Sequence, residues 1–152
     1  MQKITPFLWF DNQAEEAVNF YVSIFNNSEV LNMTPGPDGK VMMAVFQLEG
    51  QKFMALNGGP HHKFTEAISL YVDCKTQTEV DELWEKLTAD GGEPGPCGWL
   101  KDKYGLSWQI IPTALGELMN DPDPAKAQRV VQAMLQMSKI DVATLQAAYD
   151  LA

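Results

Sequence analysis

Alternating and helical patterns of apolar residues follow each other twice along the chain. ITPFLWFD (4–11) alternates as a half-buried strand does. The next segment places Ala17, Phe20, Tyr21 and Ile24 at i, i+3, i+4 and i+7, one stripe of a helix. About sixty residues later the pattern returns, with AISLYVDC (67–74) followed by Val80, Leu83, Trp84 and Leu87 at the same spacing. Each helix start reads as a capping box, Asn12-x-x-Glu15 and Thr76-x-x-Glu79. Asp90-Gly91-Gly92 reads as a glycine stop for the second helix.

Three strands are expected after the first helix. SEVLNMT is separated by PGPDG from KVMMAVFQLEG, which turns at Glu49-Gly50 into QKFMALN. After the second helix, GEPGPCGWLKD obscures the pattern and LSWQIIP closes it. The order β-α-β-β-β, twice, predicts an α+β fold of two βαβββ modules. Helices would pack on one side of curved, mainly antiparallel sheets, leaving a concave side for a cleft. This assigns 1–120 to a single domain, with modules at about 1–65 and 66–120, and 121–152 to a C-terminal helical extension. In the extension, Asp123-Pro124 opens a helix running to about Met137. Asp141 caps a shorter one, VATLQAAYDL. Val130, Met134 and Met137 form an apolar stripe suited to packing on the domain or on a second subunit.

The stretch GWLKDKYGLSWQIIP (98–112) raises a chemical question. Alternation puts Trp108 and Ile110 on one face and Ser107, Gln109 and Ile111 on the other. Gln109 is then a metal ligand, a hydrogen-bonding group in a pocket, or a plain solvent-facing residue.

Composition narrows the partners. A chain of 152 residues, 45% hydrophobic and 20% charged, suits one globular domain. No apolar run approaches a membrane span, and MQKITPFLWF lacks a signal peptide's apolar core, so a cytoplasmic location is expected. Net charge of −9 argues against nucleic acid. Ten of the eleven cations are lysines, and Arg129 lies in the C-terminal segment, so the body has no guanidinium fork for an anionic ligand. Cys74 and Cys97 form no CxxC pair and read as free thiols, Cys97 the more exposed and without a histidine nearby in sequence to activate it.

Three separated segments, ITPFLWFDNQAEEAVNFYVSIF, FMALNGGPHHKFTEAIS and CGWLKDKYGLSWQIIP, resemble one family. It is the PhnB-like branch, often labelled 3-demethylubiquinone 3-methyltransferase-like, of the vicinal oxygen chelate superfamily, which includes glyoxalase I, bleomycin-resistance proteins and extradiol dioxygenases. The resemblance covers nearly the whole chain. It implies two modules forming a cup-shaped site, commonly in a homodimer, with up to four metal ligands on equivalent strands. Carried onto this sequence, those places fall at or near Thr5, Ala55, Ala67 and Gln109. Alanine cannot coordinate a cation, and threonine and glutamine are weak neutral ligands. No metal or other cofactor is therefore expected, and Gln109 is expected to face the cup as a hydrogen-bonding group.

Other residues complete the candidate site. Phe7 and Trp9 share a face with Thr5, while Trp99 and Tyr104 precede Gln109. Together with Asn57, Glu66 and Asp102 they resemble a largely apolar pocket with a few polar anchors. Lys101-Asp102 reads as a turn with a surface ion pair. His61 and His62 are adjacent and point apart, a poor chelate. His61 is the best candidate general base, its intrinsic pKa lying near neutrality. The methyltransferase label finds no glycine-rich loop at the first strand–helix junction, WFDNQAEEA, and Asn57-Gly58-Gly59-Pro60 leads into a loop instead of a helix. The expected function is metal-independent binding of a small apolar or aromatic molecule. The alternatives are a metal-dependent lyase, isomerase or dioxygenase built on His61, His62 and Glu66, and a methyltransferase acting on a quinone-like phenol.

Overall fold

The computed structural model describes residues 2–151 and divides between Phe64 and Thr65 into two units. The first contains β1 (Phe7–Phe10), α1 (Ala14–Ile24), β2 (Glu29–Pro35), β3 (Val41–Leu48) and β4 (Gln51–Asn57). Its sheet has the order β1-β4-β3-β2, with β1 parallel to β4 and the other pairs antiparallel. One face carries Leu8, Phe10, Ala44, Phe46, Phe53 and Ala55, all buried. Strand register enforces this, because Leu8 and Ala44 are both aligned with Ala55 and Phe46 with Phe53. The Phe46 and Phe53 rings stack with centroids 5.3 Å apart. Ala14, Ala17, Val18 and Tyr21 are the buried side chains of α1. Val18 joins the expected stripe, whereas Phe20 and Ile24 are only half-buried.

The start of α1 corrects the expected capping box. The N-cap is Gln13, without a side-chain bond, and the Ala14 amide donates to Asn57 Oδ1 at 2.8 Å. An orphan donor of the first turn is thus satisfied from the end of β4.

The second unit contains β5 (Ser69–Cys74), α2 (Gln77–Thr88), β6 (Glu93–Pro94), β7 (Trp99–Lys101), β8 (Ser107–Pro112), α3 (Thr113–Met119), α4 (Pro124–Met134) and α5 (Val142–Tyr149). Its sheet order, β5-β8-β7-β6, repeats that of the first unit, again with the first strand parallel to the last. The β-α-β-β-β repeat is therefore present in the structure. Thr76 caps α2 by accepting from the Glu79 amide at 3.1 Å. The glycine stop is displaced: α2 ends at Thr88, and one 3₁₀ turn follows, with Asp90 and Gly91 at positive φ.

β6 and β7 are short because the Pro- and Gly-rich turn between them makes little ladder of its own. The C-terminal segment supplies the missing partners. Cys97 and Gly98 amides donate to the Met137 and Ser138 carbonyls, and Ser138 Oγ donates to the Gly95 carbonyl. Gly98, at φ +85°, has no room for a Cβ, which would stand 2.7 Å from Ile111 Cδ1 and 3.1 Å from Ile140 Cγ1.

The C-terminal helices belong to the core of this unit. Ile111, Leu115, Val130, Ile140 and Leu145 form one buried cluster, with Met134 and Met137 packed against it. The apolar stripe is thus occupied within the chain. α3 adds a helix to the expected pattern, and α4 stops at Met134, before the expected Met137. Asp123 and Asp141 cap α4 and α5 as expected. Asn120, Asp121 and Pro122 separate the helices that meet at Leu115 and Val130.

Candidate functional site

Register assigns the faces of the second sheet. Trp99 and Tyr71 are both aligned with Gln109, and Lys101 and Ser69 with Ser107. Aligned residues, and residues two apart along a strand, share a face. One face therefore carries Ser69, Tyr71, Trp99, Lys101, Ser107 and Gln109. The opposite face carries Leu100, Trp108 and Ile110, all buried. The expected orientation of LSWQIIP holds.

A cavity of about 310 Å³ opens on the Ser107 side. Its walls include Trp99, Pro94 and Pro96, and its polar groups come from Glu66, Lys101, Glu93 and Ser107. Ser107 is 1% exposed, and its Oγ has no hydrogen-bond partner among the described residues. A buried hydroxyl without a partner is unfavourable unless something else completes it. Lys101 Nζ forms an ion pair with Glu66 Oε1, both groups remaining substantially solvated. The bond from Lys101 holds the Glu66 carboxyl below its ordinary pKa. In return the Lys101 ammonium is raised, by Glu66 first and more weakly by Glu93.

Gln109 is half-buried beside this cavity, and its Nε2 donates to Ser69 Oγ at 2.9 Å. It is a hydrogen-bonding group on the face expected for it.

Asp102 has a different role. It is 2% exposed, and its Oδ1 accepts from the Tyr104 and Leu106 amides while Oδ2 accepts from Trp108 Nε1. The carboxylate builds the β7–β8 turn and anchors the Trp108 indole, and it is buried instead of standing in a surface turn. Asn57 lines a cavity of the first unit and also holds backbone there. Besides capping α1, it donates from Nδ2 to the Val41 carbonyl. Both amide ends are spent on backbone. Tyr104 lies half-buried in the β7–β8 turn, with Lys103 Nζ 5.5 Å from its ring centroid.

In the first unit, Phe7 is 49% exposed and shares a face with Trp9, while Thr5 is half-buried just before β1. Trp9 Nε1 donates to the Gly59 carbonyl at 2.9 Å, and the ring meets His62 edge-on at 4.8 Å. Gly58 permits this approach, since a Cβ there would lie 2.3 Å from the Trp9 ring. His61 is exposed, and no hydrogen bond among the described residues orients it as a base. Glu66 is engaged with Lys101.

The places carried over by resemblance hold no charged ligand. Thr5 offers a hydroxyl and Gln109 a carboxamide, while Ala55 is fully buried and Ala67, just before β5, has no donor atom in its side chain. Among the described residues, no three His, Cys, Asp or Glu side chains converge as a metal site requires. A Rossmann-type S-adenosylmethionine site does not fit either. Each sheet has a single parallel strand pair, and the first strand–helix junction has no glycine.

The paired βαβββ modules, with a cavity on the open face of the second sheet, define a vicinal oxygen chelate fold. The chain belongs to the 3-demethylubiquinone-9 3-methyltransferase family, whose model matches residues 2–111. A Bacillus cereus structure named for a 3-demethylubiquinone-9 3-methyltransferase, PhnB protein, is 39% identical over 74% of this chain and 100% of its own, with a TM-score of 0.68. Protein PA1353 of Pseudomonas aeruginosa shares the fold at 18% identity over 74% and 98% of the two chains, TM-score 0.60. So does the fosfomycin resistance protein FosX of Listeria monocytogenes, complexed with Mn(II) and sulfate, at 19% identity over 71% and 90%, TM-score 0.54. No curated protein matches the chain. No helix among the described residues is long and apolar enough to cross a membrane.

The sequence pattern carries a signal for Lys101 and Ser107 as well. Trp99-x-Lys101 and Ser107-x-Gln109 alternate in phase, which puts a lysine and a serine beside the expected tryptophan and glutamine. Lys101 therefore lines the cavity instead of standing in a surface turn.

Proposed function

We propose that this protein binds a small apolar or aromatic molecule without a metal, in the cavity on the open face of its second sheet. The observation that carries this reading is the Ser107 hydroxyl, buried without a partner among apolar walls from Trp99, Pro94 and Pro96. A hydroxyl both donates and accepts, so a single ligand carbonyl, hydroxyl or amine completes it. A cavity of this volume suits a ligand of one or two rings. The uncharged side chains at Thr5, Ala55, Ala67 and Gln109, the places given by resemblance, support metal independence. The family resemblance supports a homodimer, which sedimentation analysis would read.

The test is a small-ring ligand screen by thermal shift, run with and without micromolar zinc, nickel, manganese or iron(II), on the protein and on Ser107→Ala and Trp99→Ala. Ligands that stabilise the parent and lose affinity in both variants, with no metal requirement, support the proposal. A saturable metal-induced shift of several degrees, abolished in a His61→Ala, His62→Ala double variant, would overturn metal independence. The family's name favours a second reading, methyl transfer. Saturable binding of S-adenosylmethionine is the outcome that would promote it.

A further inference from the structure

The cavity's charges allow a narrower statement about its ligand, one that rests on the binding reading above. We propose that the site selects uncharged or cationic single-ring molecules over anionic ones.

Three charged side chains line the cavity: Lys101, Glu66 and Glu93. One cation against two carboxylates leaves the lining net negative. Glu93 is aligned with Lys101 across the β6–β7 pair, and Glu66 holds the same ammonium in an ion pair. Lys101, the one cation lining the cavity among the described residues, is therefore paired with Glu66 and stands across from Glu93. An anionic ligand would have to displace Glu66 from Lys101, and would leave both carboxylates close to a further negative charge. Both partners of that ion pair are partly solvated, with 39% and 61% of their side-chain surface exposed, so the bond itself is easily broken. The obstacle to an anion is the uncompensated charge that remains.

Arg129 carries the chain's one guanidinium, and its Nε and Nη2 donate to the Ala148 and Tyr149 carbonyls at the end of α5. The chain's net charge of −9 repels anions at longer range, by an amount that salt reduces. A cationic ligand meets the opposite situation, with two carboxylates at the rim and the Trp99 ring in the wall to interact with its charge. A neutral ligand loses nothing at the rim and still satisfies Ser107.

Benzamide, benzamidine and benzoate are planar near-isosteres with charges of zero, plus one and minus one, so they separate charge from shape. Their affinities are to be measured by nuclear magnetic resonance titration near pH 7.5 in low salt, following the Trp99 indole and Ser107 amide signals. Benzamidine and benzamide are expected to perturb both signals, with benzoate weaker than benzamidine by about tenfold or more. In a Glu66→Gln, Glu93→Gln double variant the gap between benzamidine and benzoate is expected to close to about threefold or less. Raised salt should compress it in the parent. Benzoate binding as tightly as benzamidine in the parent, or a gap unchanged in the double variant, would overturn charge selection and leave the binding site standing. If none of the three moves either signal, or if Ser107→Ala does not weaken those that do, the binding reading itself falls. A circular-dichroism melt of each variant confirms that the fold is intact before its affinities are compared.

Discussion

Gln109 Nε2 donates to Ser69 Oγ at 2.9 Å, across the parallel pair of β5 and β8. The Gln109 carboxamide is thus spent within the sheet. On the same face, the Ser107 hydroxyl has no hydrogen-bond partner among the described residues. The strand pair contains one satisfied polar couple and one buried polar group without a partner.

That contrast yields opposite effects from two similar substitutions. Ser107→Ala removes a desolvated hydroxyl and is expected to leave stability unchanged or raise it by up to about 1 kcal/mol. Ser69→Ala strips the Gln109 amide of its acceptor and should cost about 1 kcal/mol. Urea denaturation of both variants measures the pair, and equal losses would show that Ser107 has a protein partner.

Asp102 is expected to act on stability and not on ligand choice. Asp102→Ala removes the acceptor of two backbone amides and the Trp108 indole, all in buried surroundings, and should cost about 3 kcal/mol or more. Asp102→Asn should cost less, because one oxygen still accepts. Chemical denaturation, with Trp108 fluorescence as a local probe, distinguishes the two.

Asn57→Ala should destabilise by about 1–2 kcal/mol by uncapping α1 and freeing the Val41 carbonyl. Hydrogen exchange would localise the effect, with the Ala14 amide losing its protection first. An Asn57→Ala protein with unaltered exchange at Ala14 would contradict the capping role.

Cys74 sets an alkaline limit. Burial pushes its thiol up to about 12, while the unfolded chain releases that proton near pH 9. Between those values the native state holds the extra proton, so stability falls as pH rises, by up to about 1.4 kcal/mol per pH unit from this group. Below pH 9 the contribution is constant. The difference in unfolding free energy between the parent and Cys74→Ala, followed from pH 8 to 11, should narrow with rising pH. Cys97, partly exposed, should react with a thiol reagent long before Cys74 does.

The C-terminal segment is expected to be required for folding of the second unit. Ile140→Ala should cost about 2–4 kcal/mol, since Ile140 is fully buried against Ile111, Val130 and Leu145. Removing residues 113–152 uncovers Ile111 and deprives Cys97 and Gly98 of their carbonyl partners, so aggregation is expected. A truncated protein that stays soluble and melts cooperatively would show the helices to be dispensable.

The amino-acid pattern alone determined the repeated β-α-β-β-β order, the caps at Thr76, Asp123 and Asp141, and the facing of Trp108 against Gln109. These rest on periodicity and on side chains acting within a few residues of themselves, which one-dimensional spacing records. It also showed that the places given by resemblance lack charged ligands, because a residue's chemistry is independent of the fold. The tertiary structure decided which polar residues were already spent. Asn57 and Asp102 carry groups a ligand could use, and only the approach of Ala14, Val41, Leu106 and Trp108 shows that backbone and indole use them first. It decided the register that aligns Leu8 and Ala44 with Ala55 on the buried face, since period two names a face but does not align one strand with its neighbour. It decided, too, that Val130, Met134 and Met137 are covered by their own chain. An apolar stripe must be buried, but sequence spacing does not say by what.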